Sequence, residues 1–325
     1  MKVSVIVATY NQKHYIGQAI ESVLAQQTNF EYEILVGDDC STDGAQAVIL
    51  EYEKRFPDKV KAVLHPKNLG QNGLFNTIET LKLVKGEYVT VLDGDDYYIN
   101  INKLQKQADF LDANPSFTAC FHNTKVVYEF ENNREEILNP PDQKPIITIE
   151  DLVDEDEVWF MGTSAVMFRK ALVNYDTCAS WVFRSSSGDI PRYILLAKQG
   201  PIGYLPEIMS VYRKNRAGAS FRDDYQDVGF LYNRIKMYEG INQELGYKFD
   251  KILKKNIARY YKMLLEARQY QQSYFKKMFV AIKYLRLAQP EPTVQREIIR
   301  DYILPKWLLT VYSFFALLPH RLKSN

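Results

Sequence analysis

The chain has 325 residues, of which 46% are hydrophobic and 25% charged, as is ordinary for a globular protein that can bury a sizeable core. Its net charge of +1 gives no general attraction to polyanions, so we expect no nucleic-acid partner. The charge is nevertheless uneven, because residues 240–325 contain 16 Lys and Arg but 6 Asp and Glu, while the preceding residues are acidic overall. This asymmetry indicates two regions with different partners.

The first hundred residues alternate between strand and helix patterns. Predicted strands cover residues 3–8, 33–37, 60–64 and 87–92, and predicted helices cover residues 15–24, 45–55 and 74–84. The strands are short apolar runs with little polar alternation, as expected for strands that are covered on both faces. These repeats predict an α/β fold with a doubly wound, mainly parallel sheet, in which ligands bind beyond the carboxyl ends of the strands.

The pattern is less regular beyond residue 100. We predict a helix at 103–113, a polar loop at 132–144, and a block at 160–203 that mixes short strands with a helix at 190–198. Residues 223–318 are nearly all helical in pattern. We therefore divide the chain into one domain at residues 1–220 and a helical C-terminal region at residues 221–325.

Acidic residues follow two of the predicted strands. Asp38 and Asp39 come after the second strand, and the sequence Asp93-Gly94-Asp95-Asp96 comes after the fourth. Crowded carboxylates are costly unless a cation or a hydrogen-bond donor lies between them. Hard oxygen ligands suit Mg²⁺ or Mn²⁺, and Mg²⁺ usually adds substrate phosphates to one or two carboxylates. The alternative is that Asp38 and Ser41 only cap the next helix while Asp93-Gly94 forms a turn.

An ordered set of segments resembles family 2 glycosyltransferases, which have the GT-A fold. The segments are VSVIVATYN (3–11), EILVGDDCSTD (33–43), NLG (68–70), GEYVTVLDGDD (86–96), GTSAVMFR (162–169), GD (188–189) and VYR (211–213). The resemblance covers about residues 1–220. The sequence Gly-Asp-Asp-Tyr-Tyr from Gly94 to Tyr98 is similar to a bacterial branch that makes surface polysaccharides.

This resemblance implies an inverting, metal-dependent glycosyltransferase. It would move a sugar from a nucleotide-diphosphate donor, a UDP-sugar, to a hydroxyl of a glycan or a lipid-linked acceptor in bacterial polysaccharide assembly. Residues 1–100 would form the nucleotide-sugar half and residues 101–220 the acceptor half. The implied cofactor is Mn²⁺ or Mg²⁺, which stabilises the negative charge of the departing diphosphate.

The resemblance also implies roles for the residues that would hold the donor. Asp39 would accept a hydrogen bond from the uracil N3–H, and the backbone of Ala8, Thr9 and Tyr10 would form the base pocket. Asp93 would bind the ribose.

The remaining implied roles concern the metal and the acceptor. Asp95 would bind the metal, and Asp189 would be the general base that deprotonates the acceptor hydroxyl. The alternative for Asp189 is an exposed N-cap of the helix at 190–198. Many family members have a His in the segment after Tyr-Arg, where Asn215 stands here, so Asn215 is a candidate weak metal ligand. Arg213 would neutralise the diphosphate, unless it belongs to a solvated basic loop.

Two other classes of protein begin with similar patterns. A Rossmann-type dinucleotide enzyme needs Gly-x-Gly-x-x-Gly after the first strand, and residues 9–13 contain no glycine. A nucleotide-sugar-binding protein without catalytic activity remains an alternative, because the family's His is missing. Donor hydrolysis in the presence of Mn²⁺ separates this alternative from an enzyme.

The cysteines and the termini bear on the cellular location. Cys40, Cys120 and Cys178 are far apart in sequence, so we expect reduced thiols, no disulfide and a cytoplasmic protein. The apolar run at the N-terminus is too short for a signal peptide.

The C-terminal region suggests attachment to a membrane. Residues 303–319 are apolar but too few to span a bilayer, and basic residues flank them. Basic residues beside aromatics predict binding to the inner face of the cell membrane. The alternative is packing on the rest of the chain or the formation of a homodimer.

Overall fold

The computed structural model describes residues 1–132, 134–153, 160–215, 227–270, 272–305 and 307. The chain divides into two compact units, Met1–Asp223 and Asp224–Asn325.

The first unit alternates strands and helices. Its described strands are β1 (Val3–Thr9), β2 (Tyr32–Asp38), β3 (Val60–Leu64), β4 (Tyr88–Asp93), β5 (Tyr97–Tyr98), β6 (Ala119–Tyr128), β7 (Arg134–Ile137), β8 (Ile146–Ile147), β9 (Met167–Arg169) and β10 (Ile202–Lys214). Its described α-helices are α1 (Lys13–Leu24), α2 (Ala45–Arg55), α3 (Leu74–Leu81), α4 (Lys103–Ala113), α5 (Ile149–Leu152), α6 (Ser180–Arg184) and α7 (Asp189–Ala197).

These strands form one twisted sheet. Their order is β3-β2-β1-β4-β9-β6-β10-β5, with β7 paired to β6 and β8 paired to β10. The strands β3, β2, β1 and β4 are parallel, β9 is antiparallel to β4 and β6, and β6 and β10 are parallel again. Apolar side chains of β1 and β2 are fully buried beneath α1 and α2. The predicted α/β fold with a parallel central sheet is confirmed.

A small polar network lies inside this core. Lys103 is fully buried, and its Nζ lies 2.8 Å from Gln107 Oε1 and 4.1 Å from the centre of the Tyr98 ring. Burial lowers the pKa of Lys103 to about 7, because a charged ammonium loses its hydration there. The hydrogen bond and the aromatic face replace part of that hydration.

The second half of the sheet departs from the sequence-based prediction. The predicted loop at 132–144 contains the strand β7, whose residues are all exposed and mostly charged, so no apolar pattern marks it. The strand β6 was not predicted, since its buried residues include His122, Asn123 and Thr124. The pairing of β10 with β6 shifts register between Leu205 and Ile208, which interrupts the two-residue periodicity.

The second unit is helical in its described residues. It contains α8 (Val228–Glu244), α9 (Asp250–Glu266), α10 (Tyr274–Ala288), α11 (Pro292–Ile298) and a π-helical turn (Ile299–Ile303). The helix α9 packs against both α8 and α10. Tyr238 of α8 stacks on Tyr260 of α9, and buried aliphatic side chains such as Leu253 and Ile257 fill the space around them.

Three expectations concern the cysteines and membrane contact. The three cysteines are free thiols. No described helix is both long and apolar enough to cross a bilayer. Most of the apolar segment at 303–319 lies outside the described residues, so its predicted membrane attachment stays a prediction.

Candidate active site

The carboxyl ends of β1, β2 and β4 lie side by side in the sheet. In the parallel register Thr9 is opposite Asp38 of β2, and Ala8 is opposite Asp93 of β4. Because β1 lies between the other two strands, the residues after β2 and β4 are two strand spacings apart, about 10 Å. The sheet therefore brings both acidic clusters of the sequence to one side, around residues 8–10.

The loops after β1 and β2 are bonded to each other. The N–H of Asn11 donates to Ser41 Oγ at 2.8 Å, and the N–H of Thr42 donates to Asn11 Oδ1 at 2.8 Å. Asn11 and Cys40 have positive φ angles of 54° and 63°, which non-glycine residues rarely adopt. Strained backbone of this kind persists where neighbouring contacts hold it, and it is concentrated at functional sites.

Asp39 is held by backbone groups next to the predicted base pocket. Its Oδ1 accepts from the N–H of Leu69 at 2.7 Å, and its own N–H donates to the carbonyl of Thr9 at 3.0 Å. Thr9 is buried, Ala8 is half-buried and Tyr10 is 49% exposed. The four residues predicted to surround a base are thus adjacent, and Asp39 keeps a second carboxylate oxygen for a ligand.

Asp38 has a structural part in the same loop. Its Oδ1 accepts from the N–H of Ser41 at 2.9 Å and from Gln46 Nε2 at 2.7 Å. The N-cap of α2 is Gly44, so the alternative in which Asp38 caps this helix is wrong. Asp38 instead stabilises the loop between β2 and α2 through these hydrogen bonds.

The turn after β4 runs tightly against the end of β1. The N–H of Gly94 donates to the carbonyl of Ala8 at 2.8 Å. A Cβ atom on Gly94 would lie 2.6 Å from Gln12 Oε1 and 2.8 Å from the side chain of Thr9. A larger residue would therefore push apart the two loops that carry the predicted donor-binding residues.

The carboxylates of this turn are crowded and poorly hydrated. Desolvation, followed by the charges of Asp189 and Asp95, raises the pKa of Asp93 to about 8. Burial raises the pKa of Asp95. Burial, with the charges of Asp95 and Asp93, raises the pKa of Asp96 well above its usual range. A cation bound here would relieve the repulsion between these groups.

The end of β10 closes this acidic cluster. Asn215 Nδ2 donates to Asp95 Oδ2 at 2.8 Å, and both side chains are buried. The N–H of Arg213 donates to Asp96 Oδ1 at 2.8 Å. The structure therefore brings Asn215 and Arg213 to the same turn as the predicted metal ligand Asp95.

The donor set of this turn fits a hard divalent cation. Asp93 and Asp95 offer carboxylate oxygens, and a half-turn of the Asn215 amide would present its oxygen in place of its nitrogen. Within the described residues there is no group of three or more His, Cys, Asp or Glu that could enclose a metal ion. Mg²⁺ or Mn²⁺ held here would complete its coordination with water and phosphate oxygens, as Mg²⁺ commonly does.

The side chain of Arg213 is mostly engaged by protein groups. Its Nε lies 3.0 Å from Glu129 Oε1, and its Nη2 donates to Gln18 Oε1 at 2.7 Å. The guanidinium lies 4.7 Å from the ring centre of Tyr15 and 4.9 Å from that of Tyr97. Its Nη1 is buried and has no hydrogen-bond partner in the described part of the chain. The guanidinium is therefore held by protein groups, and one of its nitrogens has no hydrogen-bond partner among the described residues.

Asp189 lies near the acidic turn, as its effect on the pKa of Asp93 indicates. Its Oδ2 accepts from Thr163 Oγ1 at 2.6 Å, and its Oδ1 is paired with Nη2 of Arg192. The Arg192 side chain is 3% exposed and the Asp189 side chain 20%. Asp189 is the first residue of α7 and Gly188 is the N-cap, so the N-cap alternative for Asp189 is wrong.

Three contacts of this site were missed in the sequence. Arg192 follows Asp189 by three positions, a helical spacing that signals an ion pair. Thr163 lies in the segment GTSAVMFR, which marked a region without indicating the bond to Asp189. Glu129, the partner of Arg213, follows β6 and had no signal, because nothing local relates it to β10.

Solved structures with the same architecture establish the fold as GT-A. Residues 1–349 of Staphylococcus aureus TarS match with a TM-score of 0.62 at 21% identity, over 89% of this chain and 81% of that one. The complex of TarS 1–349 with UDP-GlcNAc matches with a TM-score of 0.56 at 18% identity, over 94% of this chain and 93% of that one. A mannosyltransferase of Pyrobaculum calidifontis in complex with GDP-Man and Mn²⁺ matches with a TM-score of 0.54 at 16% identity, over 92% and 85%.

The chain belongs to glycosyl transferase family 2, whose family model matches residues 4–175. An uncharacterized protein of Mycobacterium tuberculosis is 32% identical over 215 residues, which are 66% of this chain and 59% of that protein. TarS, a poly(ribitol-phosphate) beta-N-acetylglucosaminyltransferase of Staphylococcus aureus, is 38% identical over 117 residues, or 36% of this chain and 20% of TarS. This chain therefore spans less than two thirds of the length of either relative.

Proposed function

We propose that this chain is an inverting, metal-dependent glycosyltransferase. It transfers a sugar from a UDP-sugar to a hydroxyl of a glycan or a lipid-linked acceptor in bacterial polysaccharide assembly. The observation that carries the proposal is the convergence of Asp93 and Asp95, after β4, with Asp189 of α7. Thr163 donates to Asp189 Oδ2 at 2.6 Å, and its side chain also lies in hydrogen-bonding reach of Asp93.

The donor half binds and orients the nucleotide. The free carboxylate oxygen of Asp39 accepts from the uracil N3–H, while the backbone of residues 8–10 lines the base. Asp93, two strand spacings away, accepts from a ribose hydroxyl, and this separation suits the span from base to sugar. The positive charge of Arg213 neutralises part of the charge of the diphosphate.

Asp95, assisted by Asn215, would hold Mn²⁺ or Mg²⁺ next to the diphosphate. When bound, the cation neutralises the negative charge that develops on the leaving phosphate oxygen. The turn that carries Asp95 is packed against β1 through Gly94, so Asp95 keeps a fixed position relative to the base pocket.

Asp189 removes the proton from the acceptor hydroxyl as its oxygen attacks the anomeric carbon. Thr163 and Arg192 hold one oxygen of this carboxylate each, which fixes its orientation. Attack from the side opposite the departing diphosphate inverts the anomeric centre. We therefore expect the base on a different segment from the residues that bind the diphosphate, and Asp189 begins α7 while Asp95 follows β4.

The relatives support the donor and acceptor classes of this proposal. TarS has been solved with UDP and with UDP-GlcNAc, and its name describes transfer to a poly(ribitol-phosphate). We extend the donor class, a UDP-sugar, and a polyhydroxylated surface polymer or its precursor to this chain. Such transfer would take place in the cytoplasm, or at the inner face of the cell membrane where lipid-linked acceptors are present.

A turnover assay tests the proposal. UDP release from a panel of UDP-sugars is measured with Mn²⁺, with Mg²⁺ and with a chelator, for the wild type, Asp95→Ala and Asp58→Ala. Asp58 is exposed and precedes β3, at the opposite end of the parallel strands. We expect metal-dependent UDP release that Asp95→Ala abolishes and Asp58→Ala leaves unchanged. Donor binding without any turnover would instead favour a non-catalytic binding protein, and normal turnover of Asp95→Ala would refute the metal site.

A further inference from the structure

The helix α10 has an apolar stripe on its exposed side. Phe275 is 73% exposed, Phe279 is 58% exposed and Ile282 is 36% exposed. These positions are spaced by four and three residues, so they share one face of the helix. Val280 and Tyr284 are buried on the opposite face, which packs towards α9. The helix is thus apolar on two sides, and one of them is in contact with solvent.

Positive charge lies along one border of this stripe and at its C-terminal end. The sequence of α10, YFKKMFVAIKYLRLA, contains four Lys or Arg and no Asp or Glu. Arg286 continues the line of Phe279 and Ile282, and Lys276 and Lys283 lie along its border by helical spacing. The Nζ of Lys283 lies 5.0 Å from the centre of the Phe279 ring. A partner that binds this face must therefore contact bulky apolar side chains and positive charges at the same time.

The positive charge of this face distinguishes between two possible binding partners, a second copy of this chain and an anionic bilayer. In a symmetric dimer formed through this face, the same cations of two copies would be brought together, which is unfavourable. An anionic bilayer offers hydrocarbon to the aromatic rings and phosphate groups to the cations. Trp307, in the same unit, is 66% exposed, and tryptophan is enriched at the interface between membrane and water.

We propose that this face of α10 is a peripheral membrane-binding surface, which inserts Phe275, Phe279 and Ile282 into the interfacial region of an anionic bilayer, at the boundary between headgroups and acyl chains. Lys276, Lys283 and Arg286 then contact the headgroups. The surface goes beyond the proposed transfer reaction and does not depend on the identity of the donor. This surface is separate from the apolar segment at 303–319. Its residues all belong to α10, which the structure describes in full.

Vesicle co-sedimentation of the full chain tests this surface. Vesicles of phosphatidylcholine alone are compared with vesicles that also contain phosphatidylglycerol. We expect binding to the anionic vesicles, weakened by salt, because exposed charges are screened. The variant Phe275→Ser with Phe279→Ser should bind at least about 100-fold more weakly, since burial of each aromatic side chain is worth about tenfold or more.

Two further variants separate charge from apolar insertion. Changing Lys276, Lys283 and Arg286 to Gln should weaken binding about 100-fold, because each cation near an anionic surface contributes about fivefold. The matched control is Leu50→Ser with Leu83→Ser, since these side chains of the first unit are 46% and 42% exposed. The control should bind vesicles as the wild type does, and all variants should keep their melting temperature and their UDP release.

Three results would overturn the proposal. The first is that the wild type stays in the supernatant with anionic vesicles, and the second is that the Phe275 and Phe279 variant binds like the wild type. In a third case, that variant would change the molar mass measured by light scattering without changing vesicle binding, which would make the face a contact between proteins. UDP release is read separately, so failure of this surface leaves the proposed transfer reaction unaffected.

Discussion

Replacement of Asp189 by Asn tests the assignment of the general base and also affects an ion pair. The amide cannot accept the acceptor's proton at neutral pH, while its shape is nearly the same as that of the carboxylate. It can still accept the hydrogen bond from Thr163, but it leaves the buried guanidinium of Arg192 opposite a neutral group. The structure therefore predicts a loss of rate and a separate loss of stability.

The two losses have different sizes. Loss of a general base lowers kcat by about 10²-fold or more, which corresponds to about 2.7 kcal/mol in the activation free energy. Removing one partner of a buried ion pair costs about 3–5 kcal/mol. Because Asp189 is 20% exposed and Asn keeps one acceptor, we expect about 2 kcal/mol of lost stability. For a unit of this size that lowers the melting temperature by about 4–8 °C.

Steady-state kinetics, UDP binding by calorimetry and thermal melting are measured on the same preparations. UDP affinity should hardly change in Asp189→Asn, because a base acts on the acceptor. The control Arg192→Met breaks the same ion pair but keeps the carboxylate, so it should lower the melting temperature while kcat falls by less than about tenfold. Full turnover of Asp189→Asn would refute the role as base. A collapse of UDP affinity would show that Asp189 belongs to the donor site.

Two further predictions concern Asn215 and Lys103. Asn215→His should lower the Mn²⁺ concentration needed for half-maximal UDP release, because imidazole binds Mn²⁺ more tightly than an amide does, and an unchanged metal titration would show that residue 215 does not reach the metal. Between the folded pKa of Lys103, about 7, and its unfolded value of 10.5, the unfolded chain binds a proton that the folded chain does not. The free energy of unfolding should therefore rise with pH across this window, by up to about 1.4 kcal/mol per pH unit. Lys103→Met should lose that rise when the free energy of unfolding is measured with urea at several pH values. The same pH dependence in both proteins would contradict the lowered pKa of Lys103.

The first half of the fold could be predicted because its signals are local. The strands β1 to β4 are apolar runs separated by helices of regular period, and their parallel direction follows from these helical crossover connections. The acidic residues 38–39 and 93–96 could be placed at the carboxyl ends of these strands without any structure. The site residues Asp39, Asp93 and Asp95 followed from that placement together with the family resemblance.

The helices α4 and α7 of the second half match their predicted bounds within one residue, but its strand pairings could not be predicted, since their contacts join distant residues. The strand β6 hides its apolar pattern by burying Asn123 and Thr124, and β7 has no buried residue. The bond between Asn215 and Asp95 depends on how β10 pairs with β6 and β5, which no local pattern specifies. The engagement of Arg213 by Glu129 likewise became visible only in the assembled sheet.

The bond between Asn215 and Asp95 has a consequence for the order of folding. It joins residues 120 positions apart, whereas β1 to β4 come from the first hundred residues of the chain. Contacts between distant residues form late, because closing a long loop costs entropy. During synthesis the edge proposed to recognise the nucleoside can pair before β10 has left the ribosome. A chain that stalls or is cut before residue 202 would lack Asn215 at the proposed metal site, so under the proposed function incomplete molecules would not consume activated sugar.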